Sequence, residues 1–266
     1  MVETLEQSLR RALASKPLLL MAHLVAGYPS FDDNLHMLEA MREGGVDLVE
    51  VQFPFSEPVA DGPVFARANQ TALERGTRVS ACFDLMARAR NILPGPLLMM
   101  GYCNTVFHMG EGRFLEKLAA VGAAGFILAD LPPELGADLY GRAQALGMSG
   151  VLILTPNTTL ERKREVARQA RGLIYCAARK GVTGLKTDFG GSVEDFLRDV
   201  GAVSPLPRAL GFGVRAPADV AFLRGKAEMA VVGTAALETY ERGGARALAD
   251  FYRRLQEGVL TGGREA

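Results

Sequence analysis

The chain has 266 residues, about the length at which eight strands and eight helices make one barrel, and residues 1–266 are expected to form a single domain. Its 30 basic and 30 acidic residues cancel, which argues against nucleic acid or an anionic membrane as a partner, since both require a positive excess. Hydrophobic residues, at 48%, suffice for a substantial core, yet the longest apolar run, residues 18–25, is well short of the ~20 residues of a membrane span. Cys82, Cys103 and Cys176 are odd in number and widely spaced, so neither a disulfide framework nor a CxxC metal site is expected, and a reducing cytosol is the natural compartment. The N-terminal segment opens with an acid at Glu3 and lacks the basic region of a signal peptide.

In chain order, residues 4–14 read as an opening helix, with Thr4 and Gln7 as a capping box and Leu5, Leu9, Ala12 and Leu13 on one face. Eight short apolar segments then read as strands: 18–25, 46–53, 96–100, 125–129, 150–154, 172–176, 207–211 and 229–232. Continuous apolar character is what parallel strands covered on both faces require. Helical periodicity fills the gaps, including 193–200 behind Ser192 as N-cap, a short helix over 235–240 and a last helix over 245–259. Residues 262–266 read as a frayed tail. Strand–helix alternation throughout predicts a parallel α/β fold, a (β/α)8 TIM barrel with an additional N-terminal helix, although periodicity alone also admits a doubly wound sheet.

The second strand carries the strongest chemical signal. Alternation sends Val49, Val51 and Phe53 toward helices and Leu48, Glu50 and Gln52 into the barrel. A carboxylate inside a barrel is costly to desolvate, and the C-terminal end of a strand is where barrel enzymes keep their reacting groups. Glu50 therefore reads as an acid or base, or else as the partner of a buried Arg or Lys. The next loop holds Pro54, Pro58 and Pro63 around Glu57 and Asp61. Asp61 reads either as the second carboxylate of an acid/base pair or as a turn residue or N-cap. His23, on the strand face of Met21 and Val25, is either a hydrogen-bonded core residue or part of the pocket. His23, His36 and His108 lack ligand spacing, so no metal site is expected.

Three glycine turns at strand ends suggest a phosphate cradle: Gly181 to Gly184 after the sixth strand, Gly211–Phe212–Gly213 after the seventh, and Gly233–Thr234 after the eighth. Glycine lets backbone N–H groups approach a phosphate, and a helix N-terminus adds a favourable dipole. The loop 179–191, with Gly181, Gly184, Gly190 and Gly191, is expected to close over a ligand.

The stretch Pro54-Phe55-Ser56-Glu57-Pro58-Val59-Ala60-Asp61-Gly62-Pro63 behind Val49-Glu50 resembles the signature of the tryptophan synthase α subunit family. Arg179-Lys180-Gly181-Val182-Thr183-Gly184, Tyr102 and Asn104, Ala129-Asp130-Leu131-Pro132, Gly211-Phe212-Gly213-Val214 and Gly233-Thr234 fall in the matching order, so the resemblance spans essentially the whole chain. It implies a carbon–carbon lyase of tryptophan biosynthesis that cleaves indole-3-glycerol phosphate to indole and glyceraldehyde 3-phosphate. It also implies an α2β2 complex with a β subunit that carries pyridoxal phosphate, the α chain needing no cofactor. By resemblance Glu50 is the acid/base at the indole carbon and glycerol hydroxyl, Asp61 accepts from the indole N–H, and Tyr175 lies near both. Gly184, Gly213, Gly233 and Thr234 match the phosphate positions, Thr183 belongs to the substrate-binding set, and Ile127 and Phe212 match apolar positions beside the ring. The chain departs from the family at His23 (an aromatic), Val25 (Thr), Gln52 (Gly), Glu57 (Asp), Ala178 (Ser) and Thr234 (Ser). His23 and Gln52 are expected to bond each other or Glu50, or else an additional polar group on the substrate. A stand-alone lyase on this or a related glycerol phosphate, and a regulatory barrel without catalysis, are the alternatives.

Overall fold

A computed structural model describes residues 3–178, 191–211 and 213–260. The expected loop 179–190, with Thr183 and Gly184, together with Phe212 and the tail 262–266, lies outside the described residues. The elements run α1 (Leu5–Leu13), β1 (Leu19–Val25), α2 (Phe31–Glu43), β2 (Leu48–Gln52), α3 (Pro63–Glu74), α4 (Val79–Ile92), β3 (Leu97–Gly101), α5 (Cys103–Met109), α6 (Glu111–Ala120) and β4 (Gly125–Leu128). They continue with α7 (Ala137–Ala145), β5 (Ser149–Leu154), α8 (Leu160–Gln169), β6 (Ile174–Ala177), α9 (Gly191–Val203), β7 (Arg208–Gly211), α10 (Pro217–Leu223), β8 (Met229–Val232) and α11 (Thr234–Leu260). All neighbouring strands pair in parallel, and β8 returns to β1, which closes the TIM barrel and excludes the doubly wound sheet.

Closure divides the core in two. Leu19, Met21, Leu48, Leu98, Met100, Ile127, Val151, Ala209, Met229 and Val231 fill the barrel, while Val49, Val51, Phe53, Leu97 and Met99 pack against the helices. The alternation expected along β2 is thus the one observed. Val25 is an exception: it joins the helix-side core, because the strand ends there and turns through Gly27 at φ 81°. Two further expectations need correction. The ninth helix already starts at Gly191, so Ser192 lies inside its first turn and is not the residue ahead of it. The sixth strand starts at Ile174, not 172, because Gly172 has a φ of 79° and a β-carbon there would lie 2.6 Å from the Ser149 hydroxyl. The two C-terminal helices are present as one helical run broken at Gly244, whose φ of 66° and ψ of −162° no helix interior adopts.

The additional N-terminal helix closes the barrel floor. Thr4 Oγ accepts from the Gln7 N–H while Gln7 Oε1 accepts from the Thr4 N–H, the capping box expected from sequence. Leu5 and Leu9 insert among the inner residues, each about 1% exposed. Burying each such side chain contributes about 2 kcal/mol. At the same end, Arg208 Nε and Nη2 donate to both carboxylate oxygens of Glu228 at 2.9 and 2.8 Å and lock β7 to β8. Burial alone would push the Glu228 carboxyl up, but the Arg208 bonds outweigh it and hold the group below its ordinary 4.5. A depressed carboxyl stabilises the fold above its ordinary value and loses that contribution as pH falls through the folded one. Glu228→Gln is therefore expected to lose about 1–3 kcal/mol in urea unfolding near neutral pH. Its deficit against the parent should shrink below pH ~4, and a deficit that is the same at both pH values would contradict the assignment.

Candidate active site

The top of the barrel is polar where the rest of its interior is not. β1 and β2 run in parallel with His23 opposite Glu50 and Val25 opposite Gln52, so the imidazole lies between two inward side chains of the next strand. His23 Nδ1 lies 2.7 Å from Glu50 Oε1, and its Nε2 lies 2.8 Å from Gln52 Oε1. The Gln52 amide donates in turn to Asp61 Oδ2 at 2.6 Å. Glu50, His23 and Gln52 are all buried. The carboxylate is therefore paired, as a buried charge must be, but with a histidine and not with the Arg or Lys considered from sequence. Burial would by itself depress the imidazole; the charge and hydrogen bond of Glu50, then the charge of Asp61, overcome that and hold His23 above its ordinary 6.5.

Glu50 has two unlike oxygens. Oε1 faces His23 and, at 3.5 Å, the Tyr175 hydroxyl, which reaches across from β6. Burial and the nearby carboxylates hold that phenol well above its usual range, so it donates. Oε2 is buried and has no hydrogen-bond partner among the described residues. A buried carboxylate oxygen without a donor is uncommon and marks a group aimed at something other than the protein.

Asp61 is fixed by its loop. Its N–H donates to Pro58 O at 2.9 Å, and Oδ2 receives longer contacts of 3.4 Å from Tyr102 Oη and from Asn69 Nδ2. The cap position of α3 belongs to Gly62, so Asp61 is not the N-cap; its N–H closes the turn from Pro58 while its carboxylate is engaged by Gln52. Asn69, fully buried on α3, accepts from the Phe55 N–H at 3.0 Å and donates to Phe65 O at 2.8 Å. Tyr102, also fully buried, accepts from the Ala60 N–H at 3.2 Å and stacks on Phe55 at 4.8 Å.

Across the mouth, Gly213 has a φ of 88° and open space where a β-carbon would stand. α11 starts at Thr234, directly after Gly233, so its N-terminus lies at the C-terminal end of β8, the rim that carries Glu50 and Asp61. Gly233 has a second reason to be glycine: its β-carbon would lie 2.9 Å from the Phe65 ring. Phe65 itself stands edge-on to His23 at 4.4 Å. Ile127 is buried inside the barrel.

This arrangement has known relatives. The sequence profile described as tryptophan synthase alpha chain matches residues 9–258. The chain belongs to the tryptophan synthase alpha chain family. The alpha chain of Syntrophotalea carbinolica is 46% identical over 252 residues, 95% of this chain and 100% of the relative. That of Desulfotalea psychrophila is 44% identical over 256 residues, with 95% and 100% covered. Among solved structures, tryptophan synthase of Mycobacterium tuberculosis superposes with a TM-score of 0.89 at 29% identity, over 98% of this chain and 100% of that one. A tryptophan synthase complex from Pyrococcus furiosus gives 0.82 at 26% identity, over 91% and 98%. Tryptophan synthase alpha chains are lyases, and this chain shares their barrel.

The structure thus brings Glu50, Asp61, Tyr175, His23 and Gln52 together, with Gly213, Gly233 and Thr234 at the same rim. Asn69 and Phe65 were not singled out from sequence; the Pro63–Glu74 pattern carries them as one polar and one apolar helix residue, and only the fold puts them beneath the loop. Asn69→Leu is expected to leave the half-buried Phe55 N–H without its protein acceptor and to cost about 1–3 kcal/mol. Thermal unfolding followed by circular dichroism checks this, and an unchanged midpoint would count against Asn69 as the anchor of the loop.

Proposed function

We propose that this chain is the α chain of a tryptophan synthase and cleaves indole-3-glycerol phosphate to indole and glyceraldehyde 3-phosphate. The observation that carries the reading is Glu50, an inward carboxylate whose Oε2 is buried and unpartnered, with Asp61 close beside it through Gln52.

The reaction asks for two proton movements. The indole carbon that bears the side chain must gain a proton to become a leaving group, and the adjacent hydroxyl must lose one as the aldehyde forms. The electron pair of the broken carbon–carbon bond returns to the ring. One carboxyl that gives a proton and takes one back closes the balance, and Glu50 is the group for it. Protonation puts positive charge on the ring N–H, where the carboxylate of Asp61 stabilises it. Tyr175 orients Glu50 through Oε1. Ile127, with Phe212 by resemblance, flanks the ring. Gly213, Gly233 and Thr234, with Gly184 by resemblance, take the phosphate through backbone N–H groups and the α11 dipole, and Thr183 lines the substrate by resemblance.

Only protons pass between protein and substrate in this scheme, and the indole ring itself takes the electron pair, so the chain's own side chains suffice for it. Pyridoxal phosphate belongs to the β subunit we propose as partner in an α2β2 assembly. Val59, Phe107 and Leu135 support that partner: they follow β2, β3 and β4 at the same rim, and each is more than three-quarters exposed. A cytosolic location agrees with Cys82, Cys103 and Cys176 as free thiols. Among the described residues no helix is long and apolar enough to cross a membrane.

Glu50→Gln is expected to lower cleavage of indole-3-glycerol phosphate by about 10²–10⁴-fold or more while substrate still binds. Turnover near that of the parent, measured as indole release with and without a β subunit, would sink the assignment. Asp61→Asn should also cripple cleavage yet leave inorganic phosphate affinity nearly intact, whereas Gly213→Asp should weaken phosphate binding. Equal loss of phosphate affinity in both variants would show that the two ends of the site are not divided in this way.

A further inference from the structure

The hydrogen bonds at the barrel mouth fix where protons sit. An ionised Asp61 only accepts, so Gln52 must turn its amide N–H to Oδ2 and its carbonyl toward His23. That carbonyl only accepts, so His23 Nε2 must carry a hydrogen. One position is left undetermined: the proton between His23 Nδ1 and Glu50 Oε1, 2.7 Å apart. On Nδ1 it makes an imidazolium beside a carboxylate; on Oε1 it makes a neutral pair.

The groups around the ring decide between them. Glu50 faces it from β2 and Asp61 acts on it from the following loop, with Tyr175 of β6 behind Glu50. The Phe65 ring of α3 and Gly233 after β8 cover the remaining sides with no charge. With no substrate N–H against Asp61, the two carboxylates together favour the imidazolium. A ring N–H that bonds Asp61 spends part of its charge elsewhere and weakens the hold of His23 on the proton.

We propose that His23, positioned by Gln52, is a proton relay between the two carboxylates: it stores the proton that Glu50 delivers, and engagement of Asp61 by the substrate's ring N–H releases it. This rests on the lyase reading above. In the step, the Nδ1–H bond breaks and an Oε1–H bond forms, so the charged pair becomes a neutral imidazole and a carboxylic acid. A half-turn about the soft terminal torsion of Glu50 then carries that O–H from His23 to the substrate side, where Oε2 stands unpartnered in the free site. Glu50 gives the proton to the indole carbon and the same oxygen takes the hydroxyl proton as the carbon–carbon bond breaks; after product leaves, the reverse half-turn faces the proton to Nδ1 again. No other reactant is consumed. A purely structural role explains the arrangement less well, because a buried ion pair is often no more stabilising than apolar residues of similar volume.

Nuclear magnetic resonance of imidazole-labelled full-length chain tests the relay. His36 and His108 are exposed, so the His23 signal is the one that disappears in His23→Gln. In the parent, His23 should titrate above its ordinary value. In Asp61→Asn, or in the parent saturated with indole, the midpoint should fall by about one pH unit or more, a tenfold change in proton affinity. A neutral His23 near pH 7, or a midpoint indifferent both to Asp61→Asn and to indole, overturns the proposal. Kinetics give the second reading: His23→Gln should lower kcat at least about tenfold, leave KM within about threefold and abolish the limb of the kcat profile that follows His23. Parental kcat and pH profile in that variant overturn it as well. A parent that does not cleave indole-3-glycerol phosphate would instead refute the lyase reading, and the resonance experiment would still decide whether Asp61 governs the His23 proton.

Discussion

A carboxylate placed inside an apolar barrel is the constraint to which the mouth of this protein is built. Glu50 stands on β2 between Leu48, an apolar inner residue, and Gln52. An isolated charge there would be too costly to keep and would simply be neutralised by protonation. His23 meets that cost at the one position where the β1–β2 register puts a side chain opposite. The register itself follows from which faces are apolar: a slip of one residue would turn Glu50 and Gln52 into the helix layer and Val49 and Val51 into the barrel. The apolar core and the charged pair therefore specify the same pairing.

The second carboxylate is held by different means. Asp61 sits on a loop, where precision is usually lost, yet the loop is fastened from three directions. Asn69 grips Phe55 from α3, Tyr102 grips Ala60 from the start of α5, and Gln52 reaches Asp61 itself from β2. Each fastening side chain is buried, so each bond is at least partly shielded from water and leaves a buried polar group short of a partner if broken. The proline-rich sequence limits the loop's freedom; the buried amide and phenol then select one of the conformations that remain.

Much of this was legible in the residues. The eight strands, the capping box at Thr4 and the inward set of Leu48, Glu50 and Gln52 follow from local pattern, because short-range sterics and apolar periodicity are written along the chain. What was not legible depends on distance in sequence. Tyr175 reaches Glu50 across 125 residues and the barrel's full width; no periodicity encodes that, and only the family resemblance put it there. Arg and Lys were weighed as partners of Glu50, but it is the bond from His23, expected from its place beside Gln52, that the register supplies. Asn69 looks like any polar helix residue until the loop is folded over it. Ser192 looks like an N-cap, but the helix starts one residue earlier, at Gly191.

The fate of His23 and Gln52 bears on what the pocket can recognise. A hydrogen-bonding side chain selects a polar substrate only with donors or acceptors to spare. Both ring nitrogens of His23 are engaged, one by Glu50 and one by Gln52, and Gln52 spends its oxygen on His23 and an N–H on Asp61. The ring's edge is thus consumed by the protein, and Phe65 packs against it at 4.4 Å. The polar bulk added at these two positions is turned inward upon the carboxylates. Ile127 and the other inner aliphatic side chains keep the barrel interior beneath these two positions apolar. The departures from the family pattern therefore change the proton inventory of the site far more than its selectivity.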